Sequence, residues 1–518
     1  MITSNKQDLG NRKILSLIAL ILGLAAAWSG LLSGTSIFPQ NPWLDRYTII
    51  PPLGTVKSIA TSTVAVFAVS DDYVLVFDKN TMDLERTYAF DAEIDLAAYD
   101  QWFDDLWITS TTSLFRLNLT SGMAREYDIS KHTSALGVGI EYLYLKTDDG
   151  LRFRFDRTTG ALQSVGSFPA DLRWYRPSSE QDVRKYPLLN PFYYTDEIAV
   201  SQAPFTRFPI TALYDDGTEL YVGTDGYGLL KYSTITWAKQ RVIYGPVDPV
   251  VQRAVRIGND IYLLSPGGIS IISMTGVGET GVWHWGYLRT QHEISTLVRI
   301  NDQLVISTGS ELDNLSGTLV FPIADFQSKI LSLTADQSHL YIGTSDGMFG
   351  LLLNTREPYE FGPDRLPVYA VYATADHIYA GGEMALYRYE RSAEKWSKII
   401  NHGIKDIVPV KNELYLLSVN NQLIRYREPG PDSLSGGGNS DTSWTLLPYF
   451  NVYDIDADSE VLYCASYAGV AYYDPADQLY KTIYNLPRIP FTAVYICDSE
   501  ILAVSSLGIY RLPTRLRD

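Results

Sequence analysis

Leu220-Tyr-Val-Gly-Thr-Asp-Gly-Tyr-Gly-Leu-Leu230, Leu340-Tyr-Ile-Gly-Thr-Ser-Asp-Gly-Met-Phe-Gly-Leu351 and Ile378-Tyr-Ala-Gly-Gly-Glu-Met-Ala-Leu-Tyr387 are copies of one short phrase. Weaker echoes stand at Leu414-Tyr-Leu-Leu-Ser418 and Leu462-Tyr-Cys-Ala-Ser466. Around each copy lie short runs that alternate apolar and polar residues, separated by Asp, Gly and Asn turns. That is antiparallel hairpin chemistry. The unit repeats about every 38 residues, a period that belongs to the four-stranded blades of a β-propeller.

The first unit displays the template. Residues 56–61 read as an inner strand and 64–70 as a second; Asp71-Asp72 turns into 73–78, and 84–90 is the outer strand. Inner strands begin near residues 56, 94, 133, 210, 251, 294, 330, 368, 404, 452 and 491, which makes eleven units. One interval, 133 to 210, is two periods long, so 169–207 is either an irregular insertion or a degenerate twelfth blade. Eleven or twelve blades exceed the usual four to eight of one ring. The expectation is therefore an all-β chain of two rings over residues 45–513. The last unit, 491–512, lacks an outer strand. Asp45-Arg-Tyr-Thr-Ile-Ile50 resembles the outer strand at 480–487 and is expected to complete it, hiding both sheet edges. That pairing would draw one ring from both chain ends and nest the other inside it; rings in tandem are the alternative.

Only one segment is suited to a bilayer. Residues 14–34 form an apolar run headed by Arg12 and Lys13, with Ile14, Leu15, Leu17, Ile18, Leu20, Ile21, Leu22 and Leu24 as its body. Cleavage after Ala25-Ala-Ala27 would make it a signal peptide, while an uncleaved run is barely long enough to anchor one preceding hydrophobic helix. Both readings leave residues 1–13 in the cytoplasm and export the remainder, to a periplasm or cell surface. No cysteine near the run permits a lipoprotein.

The whole chain carries −17 and its first 34 residues +2, which leaves −19 for the exported part. That balance disfavours nucleic acid and anionic lipid as partners. Cys464 and Cys497 lack metal or catalytic spacing; they read as buried thiols, with a disulfide between them as the alternative in an oxidising compartment. The six histidines are scattered; His339 and His377 open the second strands of their units through repeat homology alone. Asp-Gly turns such as Asp225-Gly226 and Asp346-Gly347 lack a calcium-loop ligand set. Phosphate-loop, dinucleotide and nucleophile-elbow patterns are missing. No cofactor is expected.

The phrase Leu-Tyr-Val-Gly-Thr-x-x-Gly, followed by Leu and an aromatic, resembles the two-component-regulator propeller repeat. Residues 220–232 and 340–352 match best and 378–389 in part; Tyr stands here where that family prefers Trp. No kinase or DNA-binding segment follows, so the resemblance implies a stand-alone extracytoplasmic binding or sensing module, without catalytic residues to transfer.

Two segments break the repeat. Residues 169–207 carry Trp174, Tyr175, Arg176, Tyr193 and Tyr194, a set suited to a protein or glycan partner or to a local core. Residues 428–441 contain Ser433-Leu-Ser-Gly-Gly-Gly-Asn-Ser440 and read as a flexible loop. The leading functional reading is a non-enzymatic exported propeller binding a protein or glycan. A propeller glycoside hydrolase or polysaccharide lyase would gather carboxylates at the ring centre from distant blades, with Asp216, Asp336 and Asp458 as positions to inspect. A structural part of an envelope assembly is the third reading.

Overall fold

The computed structural model describes residues 37–39 and 48–514, except 91, 187–188, 190–191, 196–205, 247–249, 259, 267, 276–281, 289–292, 302, 317–318, 429–443, 484–485 and 498–499. The apolar run 14–34, Tyr47 and all of the 428–441 loop beyond Glu428 lie outside the described residues. Among the described residues no helix is long and apolar enough to cross a membrane. The helix among them is the single turn Glu180–Val183, capped by Ser179.

Eleven antiparallel sheets of four or five strands are formed among the described residues. The phrase that repeats in the sequence has a physical task in each. Its hydroxyl residue closes the turn into the third strand: Thr344 Oγ1 donates to the Gly347 carbonyl at 2.9 Å, Ser466 Oγ to Gly469 at 3.0 Å, and Ser505 Oγ to Gly508 at 3.2 Å. Those glycines sit at φ of 104°, 123° and 104°, where a side chain is strained. The earlier glycine of the phrase makes room instead. A Cβ on Gly343 would collide with Ser332 of its own blade and the Val368 carbonyl of the next, and one on Gly381 with Ile404 of the neighbouring blade. The tyrosine beside it is buried in every copy, at Tyr221, Tyr341, Tyr379, Tyr415 and Tyr463. Most of these hydroxyls reach a carboxylate: Tyr341 donates to Asp336 at 3.1 Å, Tyr415 to Glu413 at 2.9 Å and Tyr463 to Asp458 at 3.2 Å. A buried phenol needs such a partner.

The described chain divides into two compact units, residues 37–39 with 88–176 and residues 48–87 with 177–514. The larger contains a closed ring of seven blades. Their inner strands are Arg253–Ile257, Ile294–Ile300, Ile330–Ala335, Val368–Ala373, Ile404–Val410, Val452–Ala457 and Phe491–Cys497, each beside the next and the last beside the first. Hydroxyl and ammonium groups lace the neighbours, as in Ser295 Oγ to the Ile330 carbonyl (2.7 Å), Ser332 Oγ to Val368 (3.2 Å) and Lys405 Nζ to Tyr453 (3.0 Å). The seventh blade takes its outer strand from the other end of the chain. Thr48–Ile50 pairs antiparallel with Gly508–Pro513, Ile49 opposite Tyr510 and Ile50 opposite Ile509. Ile50 then packs with Val251, Ile261, Leu263 and Ile272 of the first blade and Leu502, Val504 and Ile509 of the seventh. The chain thus enters the ring at Thr48–Ile50, leaves it, and returns at Arg253; the tandem arrangement is excluded.

Two further sheets of the larger unit stand side by side. Thr211 Oγ1 donates to the Val56 carbonyl at 2.6 Å, and Lys79 pairs with Asp216 at 2.9 Å. The smaller unit holds the sheets built on Ile94–Asp100 and Thr133–Val138, and in it Ile37–Pro39 pairs with residues 88–90. Buried Arg157 joins its two sheets, bonding Asp100 at 2.6 Å and the Gly139 and Ile140 carbonyls. The described part of 169–207 makes no sheet of its own. Arg173–Tyr175 adds to the inner edge of Thr133–Val138, and Phe192–Thr195 adds to Thr206–Asp215. Poor alternation there reflects edge strands and connections. Cys464 and Cys497 are free and buried.

Candidate functional site

The polar residues that the ring brings together lie on four consecutive inner strands. Arg253 comes from the first blade, Lys405 and Asp406 from the fifth, Asp454 and Asp456 from the sixth, and Tyr495 from the seventh. Asp454 and Asp456 are two apart on one strand and so share a face. Each reaches across to the open edge of the seventh blade. Asp454 Oδ2 accepts from the Val494 N–H at 3.0 Å, and Asp456 Oδ2 from the Ile496 N–H at 2.7 Å. Asp456 Oδ1 also accepts from the Ala457 N–H at 2.8 Å, and Asp406 Oδ1 from the Ile407 N–H at 2.8 Å. Lys405 Nζ donates to Asn421 Oδ1 at 2.8 Å, and the Tyr495 hydroxyl to the Val251 carbonyl at 3.2 Å.

The three carboxylates keep part of their surface accessible although protein surrounds them, as befits side chains lining the narrow centre of a ring. Their protonation follows. Burial drives Asp454 well above the usual carboxylate range, and the charge of Asp406 drives it further. Burial raises Asp456 to about 7 against the pull of the Ile496 and Ala457 N–H groups. Asp406 is raised by burial and restrained by Arg253, while Lys405 is lowered by burial and supported by Asp454 and Asp406. Tyr495 is pushed up by burial and by Asp454. Perturbed groups gathered in one place mark a candidate functional site. Among the described residues no group of three His, Cys, Asp or Glu side chains is arranged to hold a metal ion.

The positions singled out by sequence lie elsewhere. Asp216, Asp336 and Asp458 cap hairpin turns. Asp336 Oδ1 accepts from the Ser338 and His339 N–H groups while Oδ2 binds Arg391 at 2.7 Å; Asp458 Oδ1 accepts from Glu460 and Val461. Asp216 is held down to about 2, because Lys79 and backbone donors outweigh its burial. Trp174, Tyr175 and Arg176 belong to the smaller unit. Tyr175 is buried, the Trp174 ring covers Gly137 and meets Phe168 edge-on at 4.8 Å, and Arg176 is exposed. Tyr193 and Tyr194 belong to the larger unit, opposite Phe208 and Arg207 in the ladder. The first pair of rings thus has packing work within its sheet. The ring-centre residues did leave a trace: Lys405-Asp406 and Asp454-Ile-Asp456 put charges inside strands, where such residues are depleted.

No family model and no curated protein matches the chain. Among solved structures it is similar to the extracellular domain of a putative hybrid two-component system from B. thetaiotaomicron (12% identity, 88% of this chain and 74% of that one, TM-score 0.42). The extracellular domain of a putative one-component system from the same organism is another (13% identity, 88% and 75%, TM-score 0.29). A third is PorZ, a surface component of the type-IX secretion system of Porphyromonas gingivalis (10% identity, 91% and 81%, TM-score 0.34).

Proposed function

We propose that the chain is an exported, non-enzymatic binding or sensing module for a protein or glycan, with the ring centre as its ligand seat. One observation carries this reading: five side chains with displaced protonation, Lys405, Asp406, Asp454, Asp456 and Tyr495, gather with Arg253 on the inner strands of four blades. Keeping several partly desolvated charges together is costly, and function is one reason for such a cost. Export rests on the apolar run behind Arg12 and Lys13. Binding of the full chain to arrays of purified glycans and envelope proteins, beside the Arg253→Gln variant, tests it. A ligand bound by the native chain and lost by the variant supports the reading; a ligand indifferent to Arg253 moves the site elsewhere.

A glycoside hydrolase or polysaccharide lyase is the second reading, favoured by the raised carboxyl groups of Asp454 and Asp456, since a raised carboxyl is what a general acid requires. Against it, both oxygens of Asp456 are already engaged by backbone N–H groups. Release of reducing ends or unsaturated sugars from a polysaccharide panel would replace the binding reading with this one.

A further inference from the structure

The two ends of the seven-bladed ring differ in their turns. Turns between first and second strands carry Asp336, Asp376, Lys411 and Asp458, and expose no large apolar side chain among the described residues. Turns between second and third strands lie at the other end, where the inner strands begin. There three consecutive blades expose apolar tips: Met384 of the fourth is 66% exposed, Val419 of the fifth 39% and Tyr467 of the sixth 59%. Hairpin tips ordinarily carry polar residues and glycine. The tips belong to one surface. A Cβ on Gly403 would lie 2.0 Å from the Glu383 carbonyl oxygen and 2.9 Å from Val419 Cγ2, so the fourth and fifth turns close on the same glycine. Lys405 Nζ then ties Asn421 of the fifth turn (2.8 Å) to the carbonyl of exposed Tyr453 on the sixth blade (3.0 Å).

At its fourth-blade end this surface dips into a shallow cleft of about 280 Å3, open to solvent and walled by Pro363, Leu366, Pro367, Met384 and Tyr387. Its walls are fixed: the Tyr387 hydroxyl donates to Asp364 Oδ2 at 2.8 Å, and the Gly382 N–H to the Ala385 carbonyl at 2.9 Å. The rim is acidic. Asp364 and Glu383 border the cleft, and Asp346 stands in the adjoining turn, whose Gly347 packs against residues 364–365. The cation beside them, Arg365, is held by Glu360 at 3.1 Å. The Glu383 carboxylate has no hydrogen-bond or ion-pair partner among the described residues.

We propose that this face docks an extended segment of a partner protein in which a Lys or Arg stands beside an apolar residue. The apolar side chain enters the cleft against Met384, the cation meets Glu383 and Asp364, and the segment continues over Val419, Tyr453 and Tyr467. Contiguous exposed apolar residues with a charged rim are the usual form of a protein-binding surface, and Met and Tyr are enriched at the cores of such interfaces. An acidic rim selects a basic partner and repels an acidic one. Proline, leucine and methionine walls offer few groups to sugar hydroxyls, and the Tyr387 hydroxyl is already occupied, so a peptide fits the cleft better than a glycan. No ring-centre residue lines the cleft, which makes this a second site beyond the seat described above.

The test is selection of a phage-displayed random peptide library on the full chain, followed by fluorescence polarisation with the best peptides in synthetic form. Enriched sequences should place Lys or Arg next to an aliphatic or aromatic residue. Met384→Ser should weaken the best peptide about fivefold or more, and Glu383→Lys about tenfold or more. Both side chains are exposed, and an unchanged melting curve shows that folding survives. Replacing the peptide's basic residue by Glu should weaken binding to the native chain and restore it to Glu383→Lys, an exchange that a merely structural role for Glu383 would not produce. Arg253→Gln should leave peptide binding unchanged, so failure at this face and failure of the ring-centre seat are read separately. The proposal is overturned if no peptide is enriched, if enriched peptides lack a basic residue, or if both variants bind as the native chain does. A glycan whose binding falls in Met384→Ser would assign the face to sugar and equally overturn it.

Discussion

Truncating Ile50 to Ala should loosen the whole seven-bladed ring, because that one side chain belongs to two blades. Ile49 and Ile50 are 0% and 4% exposed, and Ile50 contributes to a cluster that joins the first and seventh blades. Isoleucine-to-alanine substitution in such a core costs about 2–5 kcal/mol. The upper half of that range is expected here, since the cavity would lie between two sheets that are fixed on their other sides. Removing residues 48–50 altogether forfeits two buried isoleucines at about 1.5–3 kcal/mol each and ladder hydrogen bonds at about 0.5–1.5 kcal/mol each. It also bares a strand edge that invites association. Differential scanning calorimetry of the full chain is the assay, with Leu479→Ala, exposed on the sixth blade, as control. For a ring of this size the Ile50→Ala melting transition should fall by on the order of 10 °C and the control by little. If Ile50→Ala melts with the native chain, Thr48–Ile50 is not the closing strand and the nested chain path fails.

Gly343→Ala should cost about 1–3 kcal/mol, the usual cost of overpacking, because a Cβ there meets Ser332 and the Val368 carbonyl of the next blade; thermal melting reads it, and an unchanged transition would contradict the close blade approach. In the smaller unit, His132 lies between Asp148 (2.6 Å) and Asp95 (3.2 Å). Burial opposes its protonation, but the two carboxylates outweigh burial and raise its pKa. Only the imidazolium donates to both, so this stabilisation is full below about pH 6.5, the unfolded value, and is lost as pH rises through the raised folded value. His132→Gln should flatten that fall in urea unfolding, and an equally steep fall in the variant would refute the assignment. Asp456, raised to about 7, binds its proton more tightly folded than unfolded, so stability should decline from about pH 4 up to 7. Asp456→Asn should make the decline over that window shallower, Asp406 and Asp454 supplying the remainder, and a profile that keeps its slope would place the titrating group elsewhere.

Sequence alone determined the blades. Strand positions such as Val56–Thr61, Tyr73–Asp78 and Leu84–Phe90 were legible because period-two patterning and turn residues act over a few neighbours. The closing strand was legible too, since the missing partner of Gly508–Pro513 left a visible deficit at one chain end and a matching surplus at the other. The ring centre was not. Asp406, Asp454, Tyr495 and Arg253 come from strands far apart in the chain and meet only because seven blades close on one another. Their protonation depends on how much water that closure removes, and no local pattern records it. Asp336 and Asp458, by contrast, looked eligible at strand ends and proved to be turn caps, because a carboxylate at a hairpin tip finds backbone N–H groups at once. Local interactions are written in adjacent residues, whereas the approach of Arg253 to three carboxylates is a property of the closed ring.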